Sequence, residues 1–444
     1  ALRELGCTAG VVVTASHNPP QYNGYKVYWE DGAQITAPKD KQIITEVQAI
    51  TDFAQVKTMS EEDAKAAGLY EVISEEIDDK YMEALKKLVL RPEAIKEQAD
   101  KLKIVYTPLH GTGNIPVRRV LKELGFNNVY VVKEQELPDG DFPTVSYPNP
   151  EDKNAFTLAL KLAAEVDADI VLATDPDADR LGIYAKNEKT GEYESFTGNM
   201  SGMLILEYLL SQRKELGMLP ENGAVVTTIV SGKMARAIAK EYNVALIETL
   251  TGFKYIGEQI KFFEQNHDHE FLFGYEESYG CLEGTHARDK DAVVAVMALC
   301  EAAAYYKSKG ITLCEQMEKL YQKYGFYKES LFFQTFPGAE GKAKIDGLMD
   351  ALRNEPPKQV GPFKVTALED YKKSVRTDIA TGETSVLSLP ESNVLYFELE
   401  DGAWFCVRPS GTEPKIKYYA GVKGADAQDA TEKLEALSKA VVEL

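Results

Sequence analysis

Short apolar segments alternate with amphipathic helical stretches along the whole chain, and this alternation limits the possible fold more than any other feature. The runs at 104–106, 168–173, 223–228 and 404–407 are rich in β-branched and aromatic residues, and each precedes a polar loop or a helical stretch. This order is typical of α/β domains, in which helices cover the faces of a sheet. A chain of 444 residues can hold three or four such domains. We predict four domains, at 1–95, 96–215, 216–325 and 326–444, with α+β structure in the last.

A serine stands at the exit of the first predicted strand. The run Val11-Val12-Val13 predicts a strand buried on both faces, and Pro19-Pro20 closes the loop that follows it. Ser16 therefore lies where ligands bind in open α/β sheets, and it is a candidate nucleophile. An ordinary turn serine is the alternative when this loop is taken alone.

The second loop holds three carboxylates at alternate positions, Asp175, Asp177 and Asp179, followed by Arg180. Such spacing lets the carboxylate oxygens converge on one hard cation, and Mg²⁺ prefers oxygen ligands. An EF-hand is excluded, because its glycine and glutamate positions are occupied by Arg180 and Lys186. The sequence therefore predicts a metal loop.

Two further loops carry groups suited to a sugar phosphate. Glu276 and Ser278 follow the apolar run 271–273, and a carboxylate there can accept hydrogen bonds from sugar hydroxyls. The last loop offers a guanidinium, two hydroxyls and a glycine, at Arg408, Ser410, Thr412 and Gly411. These groups can hold a phosphate dianion.

Together these four motifs resemble, in order and over nearly the whole chain, the α-D-phosphohexomutase family, most of all the bacterial α-phosphoglucomutases and the related phosphopentomutases. The resemblance implies three similar mixed α/β domains of the doubly wound type, the first incomplete here, and a C-terminal α+β domain around a central cleft. It implies that Ser16 carries a phosphoryl group and binds Mg²⁺ together with Asp175, Asp177 and Asp179. It also implies that Arg180 contacts the reacting phosphate.

The resemblance extends to the substrate site. It implies that Glu276 and Ser278 hold sugar hydroxyls, and that the loop at 408–412 holds the non-reacting phosphate. Two other segments are expected to line the same site, through Thr251, Gly252, Lys254, His286, Arg288 and Lys290.

The implied activity is that of a phosphoglucomutase, which interconverts glucose 1-phosphate and glucose 6-phosphate through a phosphoserine and glucose 1,6-bisphosphate. A phosphomannomutase, a phosphopentomutase and a catalytically impaired sugar-phosphate-binding fragment are the alternatives within the resemblance. Outside it, a phosphatase with Asp175 as its nucleophile would explain the metal loop alone.

A general acid or base is needed for the sugar hydroxyl, and the candidates are Lys26 and His17. As a base, Lys26 would need a lowered pKa. The bifunctional phosphomannomutase branch has a histidine two positions after the sugar-loop serine, where this chain has Gly280. This departure favours the glucose-type subgroup.

Composition disfavours polyanionic partners, and an anionic sugar phosphate must be attracted by local positive charge. Fifty basic against 70 acidic residues give a formal charge of −20, which disfavours nucleic acid and anionic membranes as partners. No run of about 18 uncharged apolar residues occurs, and we expect a cytoplasmic enzyme whose five cysteines are reduced. The oligomeric state is not predicted.

The first six residues, 1–6, are typical of the last turn and glycine cap of a helix. We therefore expect the start of domain one to be missing, an exposed sheet edge, and impaired activity.

Overall fold

The structure is a computed structural model that describes residues 1–336, 340–410 and 415–444. It divides into two compact units, one of residues 1–226 and 252–313 and the other of residues 227–251 and 314–444. Each unit has a hydrophobic core of its own. Among the described residues, no helix is both long and apolar enough to cross a membrane.

The first unit begins with a two-stranded antiparallel sheet followed by helices. Its elements are β1 (Ala9–Val13), β2 (Tyr25–Trp29), α1 (Lys39–Ala49), α2 (Glu61–Ala66), α3 (Glu75–Lys86) and α4 (Pro92–Gln98). The prediction that the valines of β1 are buried on both faces was wrong, since Val11 is 61% and Val13 77% exposed. Strand β1 pairs only with β2, and the described residues leave the valine side chains uncovered.

A five-stranded mixed sheet forms the centre of the first unit. Its elements, in chain order, are β3 (Ile104–Thr107), α5 (Asn114–Leu124), β4 (Val129–Val131), α6 (Thr157–Val166), β5 (Ile170–Thr174), β6 (Leu181–Lys186) and β7 (Tyr193–Phe196). The strand order is β4-β3-β5-β6-β7, with β3 parallel to both neighbours and β5 antiparallel to β6. The acidic loop 175–180 therefore connects β5 to an adjacent antiparallel strand. This connection holds the loop at the carboxyl edge of the buried strand β5.

The rest of the first unit is built around two buried helices. Its further elements are α7 (Gly198–Glu215), α9 (Phe253–Asn266), β10 (Glu270–Tyr275), β11 (Cys281–Glu283) and α10 (Ala292–Ser308). Strand β8 (Gly223–Thr228) begins in the first unit and its last two residues belong to the second, as do α8 (Met234–Tyr242) and β9 (Ala245–Thr249). Helices α7 and α10 are buried on most of their circumference, as expected for helices inside a core. Asp291 caps α10 by accepting hydrogen bonds from the backbone N–H groups of Val293 and Val294.

The second unit is an antiparallel sheet covered by helices. Its remaining elements are α11 (Leu313–Tyr324), β12 (Phe326–Thr335), α12 (Gly341–Asn354), β13 (Gln359–Val360), β14 (Phe363–Asp370), β15 (Val375–Asp378), β16 (Thr384–Val386), β17 (Leu395–Leu399), β18 (Trp404–Pro409), β19 (Lys415–Gly424) and α13 (Ala427–Val442). The strand order is β12-β19-β18-β17-β14-β15-β16, and β13 pairs with β14. Side chains of α12 and α13 share one core with β17 and β18.

The predicted fold class is confirmed: mixed α/β sheets come first and α+β structure follows at the C-terminus. The four domain boundaries stay a prediction.

Candidate functional site

Hydrogen bonds of the Thr14 hydroxyl fix the loop that contains Ser16. Ser16 follows β1 in a left-handed conformation, with φ of 54°, which is uncommon for a residue other than glycine. Its backbone N–H donates to Thr14 Oγ1 at 2.7 Å, and Thr14 Oγ1 donates to Asp177 Oδ2 at 3.0 Å. One hydroxyl thus joins the serine loop to the acidic loop, 163 residues further along the chain. The Ser16 Oγ also lies 3.0 Å from His17 Nδ1.

The three aspartates of the acidic loop converge as the sequence predicts. One carboxylate oxygen from each of Asp175, Asp177 and Asp179 lies within 4.8 Å of the others. Asp175 is fully buried, and its Oδ1 accepts hydrogen bonds from the backbone N–H groups of Asp179 and Arg180 at 3.0 and 2.9 Å. Burial, together with the charges of Asp179 and Asp177, raises the pKa of Asp175 well above its usual range.

A cation would satisfy this loop. Asp175 Oδ2, Asp177 Oδ1 and Asp179 Oδ1 are buried and make no hydrogen bond within the described residues. Three unpaired carboxylate oxygens this close together repel one another and are costly in a buried site. The donor set is all oxygen, which suits Mg²⁺. The residues present therefore fit a magnesium ion.

Two lysines already neutralise part of this charge. Lys26 Nζ lies 2.7 Å from Asp179 Oδ2 and 3.3 Å from Asp177 Oδ2, and Lys290 Nζ lies 2.9 Å from Asp179 Oδ2. Burial opposes ionisation of Asp179, but the charges of Lys290 and Lys26 outweigh it and hold the pKa of Asp179 below its usual range.

Lys26 does not have the lowered pKa that a base would need. Burial and the charge of Lys290 lower the pKa of Lys26, but Asp179 and Asp177 more than offset this and the pKa is raised. In this arrangement Lys26 is a charged hydrogen-bond donor.

Arg180 is oriented by a residue that the sequence did not single out. Its Nη1 donates to Glu151 Oε1 at 2.5 Å, while its Nε lies 3.9 Å from Asp175 Oδ2. Burial alone would lower the pKa of Arg180, but the charges of Glu151 and Asp175 outweigh this effect. The pKa lies above its ordinary value, so the guanidinium stays charged. No sequence signal marks Glu151, which lies in a loop of prolines and asparagine.

The predicted sugar loop lies beside the acidic loop. Ser278 Oγ donates to Glu276 Oε1 at 2.8 Å, and Glu276 is buried. The backbone N–H of Leu181, one residue after Arg180, donates to the carbonyl of Tyr279. Gly198, the first residue of α7, permits this loop to lie against the helix, because a Cβ there would lie 2.2 Å from the carbonyl oxygen of Glu277.

The basic segment 286–290 divides between two environments. Lys290 reaches the acidic loop, and His286 Nε2 lies 2.9 Å from Asp291 Oδ2. Arg288 is buried and its Nη2 donates to Glu264 Oε1 at 2.5 Å. The sequence alone could have identified Asp291 as a helix N-cap, because it directly precedes an apolar helical stretch.

A cleft of about 930 Å³ in the first unit brings several of these side chains together. Its polar lining includes Lys26, Tyr28, Asp177, Asp179, His286 and Lys290. Tyr28, which the sequence did not single out, donates to Asp289 Oδ2 at 2.7 Å. A cleft of this size can hold a phosphorylated sugar.

The other predicted substrate residues stay predictions. Gly252 precedes α9 with φ of 117°, and Lys254 Nζ lies 5.0 Å from the ring centre of Tyr255. Thr251, Arg408 and Ser410 belong to the second unit. Gly411 and Thr412 lie outside the described residues.

Comparison with family models matches most of the chain to one family. The models are those of phosphoglucomutase/phosphomannomutase α/β/α domain I at residues 1–53, domain II at 79–190, domain III at 197–324, and the C-terminal domain at 352–438. A phosphoglucomutase of Staphylococcus epidermidis is 40% identical over 424 residues, which are 95% of this chain and 75% of that protein.

Solved structures show the same fold at lower identity. The phosphoglucomutase parafusin of Paramecium, in its open form, is 18% identical with a TM-score of 0.65, and the match covers 100% of this chain and 78% of that one. An N-acetylphosphoglucosamine mutase of Aspergillus fumigatus, in complex with GlcNAc-6P and magnesium, is 15% identical with a TM-score of 0.53 and coverages of 99% and 90%.

Proposed function

Because this chain belongs to the phosphoglucomutase/phosphomannomutase family, we propose that it interconverts glucose 1-phosphate and glucose 6-phosphate through a phosphoserine at Ser16 and glucose 1,6-bisphosphate. The family is that of the α-D-phosphohexomutases, and the chain is an intramolecular phosphotransferase, an isomerase. The observation that carries the proposal is the link from the Ser16 backbone through Thr14 to Asp177. Thr14 and Lys26 both contact Asp177, and this supports Ser16 as the phosphate carrier.

Ser16 passes its phosphoryl group to the free hydroxyl of the sugar phosphate. The bond between phosphorus and the serine oxygen breaks, a bond to the sugar oxygen forms, and the proton of the sugar hydroxyl is passed to the released serine oxygen. In the second half the other phosphate of the bisphosphate returns to Ser16, and the serine proton is passed to the released sugar oxygen. Of the two candidates for the general acid or base, His17, whose Nδ1 lies 3.0 Å from Ser16 Oγ, can accept a proton, whereas Lys26, with its raised pKa, can act only as a donor.

Positioning and charge carry most of the catalysis in phosphoryl transfer. Ser16, Asp175, Asp177 and Asp179 would hold Mg²⁺, which when bound neutralises charge on the phosphoryl oxygens. Glu151 fixes the Arg180 guanidinium, which pairs with the same phosphoryl group. The A. fumigatus mutase, which has the same fold, is in complex with magnesium and GlcNAc-6P, which supports magnesium as the cation.

The rest of the substrate is held by groups of matching chemistry. Glu276 and Ser278 accept and donate hydrogen bonds at neighbouring sugar hydroxyls. We assign the far phosphate to Arg408, Ser410, Gly411 and Thr412, because a guanidinium, two hydroxyls and a glycine suit a phosphate dianion. Thr251, Gly252 and Lys254 contribute to the orientation of the sugar.

Peptide mass spectrometry after incubation with glucose 1,6-bisphosphate tests the phosphoserine. We expect phosphate on Ser16 in the wild-type chain and none in Ser16→Ala, whereas Ser146→Ala serves as a matched control that keeps the label. Phosphate on Asp175 would identify a phosphatase, and an unlabelled chain would identify a sugar-phosphate-binding protein.

A coupled assay with glucose, mannose and pentose 1-phosphates then tests which sugar phosphate is the preferred substrate. We expect the highest kcat/KM with glucose 1-phosphate. A higher value with either other sugar would replace the glucose assignment by a phosphomannomutase or a phosphopentomutase.

A further inference from the structure

The loop that follows β3 lies beside the acidic loop. Residues 108–113, which we call the support loop, connect β3 to α5. Strand β3 is a parallel neighbour of β5, with Thr107 opposite Ala173 near their carboxyl ends. Parallel strands end at the same edge of a sheet, where open α/β sheets bind their ligands. The support loop and the acidic loop 175–180 therefore leave the sheet side by side.

The two loops meet at the residues that alternate with the three aspartates. The carbonyl oxygen of Pro176 accepts hydrogen bonds from the backbone N–H of Thr112 at 2.8 Å and from the Thr112 hydroxyl at 3.0 Å. A Cβ built on Gly113 would lie 2.6 Å from Thr174 Oγ1 and 3.2 Å from Ala178 Cβ. The support loop thus contacts the residue that precedes each aspartate.

Gly111 and Gly113 make this close approach possible. A Cβ on Gly111 would lie 2.4 Å from Pro176 Cα and 2.6 Å from the Pro176 carbonyl oxygen. A Cβ on Gly113 would also lie 2.7 Å from the hydroxyl of Tyr106, which is itself 2.9 Å from Thr174 Oγ1. Neither glycine has a positive φ, so packing against the acidic loop, and not backbone conformation, requires them.

The support loop is itself fixed in place. Leu109 and His110 both have left-handed conformations, with φ of 47° and 60°, which persist only where the surrounding structure determines them. The backbone N–H of His110 donates to the carbonyl of Gln135 at 3.0 Å. The buried His110 ring also places its Nε2 2.8 Å from Thr144 Oγ1. The acidic loop therefore rests on a rigid neighbour.

These contacts leave little backbone freedom between Asp175 and Asp177. The ring of Pro176 holds its φ near about −65°. The two hydrogen bonds from Thr112 fix the Pro176 carbonyl, and with it the planar peptide that leads into Asp177. Asp175 Oδ2 and Asp177 Oδ1 are buried without a hydrogen bond in the described parts of the chain, so their own bonding does not fix these two atoms. Their positions depend on the backbone.

We propose that Gly111 and Thr112 are positioning residues, which hold Asp175 and Asp177 rigidly enough for the acidic loop to bind Mg²⁺ in preference to Ca²⁺. Mg²⁺ requires near-ideal octahedral geometry with ligands at about 2.0–2.1 Å, whereas Ca²⁺ accepts flexible geometry at about 2.3–2.6 Å. A rigid ligand set therefore favours the smaller ion, and a loosened set favours the larger. The inference rests on the proposed function, whose metal site it extends to selectivity.

The substitution Gly111→Ala tests the proposal, because its Cβ would displace the backbone at Pro176. Bound Mn²⁺ is measured by electron paramagnetic resonance and displaced with Mg²⁺ or with Ca²⁺, and Asp177→Asn identifies the signal of the acidic loop. We expect Gly111→Ala to lower the affinity for Mg²⁺ about ten-fold, as is typical when a residue that orients metal ligands is changed. The affinity for Ca²⁺ should stay within about three-fold of the wild-type value, since that ion tolerates a flexible site. An equal loss for both ions, or no loss for Mg²⁺, overturns the proposal.

Two further variants keep the result interpretable. Gly140→Ala makes the same change in the same unit, at a position where a Cβ would have no neighbour within 4 Å, and leaves both affinities unchanged. Thr112→Val keeps the shape and the backbone N–H but removes the hydroxyl, and lowers the affinity for Mg²⁺ about two- to five-fold, as expected for one hydrogen bond. If Gly111→Ala fails to fold, Thr112→Val decides by the same comparison of the two ions.

The titrations contain no sugar phosphate and do not depend on turnover. A wild-type chain that prefers Mg²⁺ to Ca²⁺ but has no mutase activity would count against the proposed function alone. A wild-type chain that is an active mutase but binds both ions equally well would overturn the inference alone.

Discussion

At the scale of single residues, Thr14 has a larger role than its place in the sequence indicates. Its hydroxyl accepts from the Ser16 N–H and donates to Asp177, so it aligns the serine with the acidic loop. We expect Thr14→Val, which keeps the shape but not the hydroxyl, to lower kcat about five-fold, since a net hydrogen bond contributes roughly 1 kcal/mol. Thr14→Ser keeps the hydroxyl and serves as the control in a coupled mutase assay. Equal kcat values for the wild type and Thr14→Val would show that this link does not align the site.

Asp177 gives a test of the metal site that does not depend on turnover. Removal of one anionic ligand weakens a hard-cation site, so we expect Asp177→Asn to lower the affinity for Mn²⁺, used as a paramagnetic probe, at least about ten-fold. Asp289→Asn is the matched control, because it removes a carboxylate from the same cleft but outside the acidic loop. An equal loss in both variants would mean that general charge, not ligation, attracts the cation.

The sequence could identify those candidate site residues that act together with residues close to them in the chain. Asp175, Asp177 and Asp179 are four positions apart at most, so their convergence follows from the loop itself. Tyr81 and Glu151 make contacts with Asp291 and Arg180 that only the folded chain creates. A tyrosine in a helix and a glutamate in a loop carry no local signal of such contacts.

At the scale of elements, the periodicity of the sequence placed strands and helices well but did not determine burial. Strand β8 occupies 223–228 and β18 begins at Trp404, as the apolar runs predict. The valines of β1 give the same local signal as a buried strand, yet they are exposed. Burial depends on which other elements cover a strand, and a run of β-branched residues does not contain that information.

Strand β11 supplies a pH-dependent contribution to stability. Burial, followed by the charge of Glu301, raises the pKa of Glu283 to about 8, against an opposing effect of Arg213. The ordinary value is 4.5, so between pH 4.5 and 8 the unfolded chain loses a proton that the folded chain keeps. The folded state is therefore destabilised as the pH rises through this window, by at most about 1.4 kcal/mol per pH unit.

We therefore expect Glu283→Gln, which imitates the protonated acid, to raise the melting temperature little at pH 5 and by several degrees at pH 8. Differential scanning calorimetry at the two pH values measures this difference. Glu192→Gln, at an exposed position, should show no such dependence. The same gain at both pH values would mean that Glu283 is not protonated in the folded chain.

At the scale of the whole molecule, the order of the four motifs along the chain allowed the family to be inferred, although they are spread over almost 400 residues. The division into two units was not foreseen. Residues 227–251 group with 314–444 across a long gap in the sequence, and composition gives no sign of such a grouping. Fold class can be read from local patterns, whereas the grouping of distant segments depends on packing that these patterns do not specify.

Net charge gives a last prediction, about the salt dependence of substrate capture. The formal charge of −20 repels an anionic sugar phosphate at long range, while Lys26, Lys290 and Arg180 lie close to the acidic loop and attract it at short range. The screening length falls from about 30 Å at 0.01 M salt to about 10 Å at 0.1 M, so moderate salt removes the repulsion first. We expect kcat/KM to rise between these concentrations and to fall at higher salt. Measurements with sodium chloride and with potassium acetate separate screening from the binding of a particular anion. A steady fall of kcat/KM from the lowest salt concentration would show that the attraction by the two lysines and Arg180 dominates at every distance.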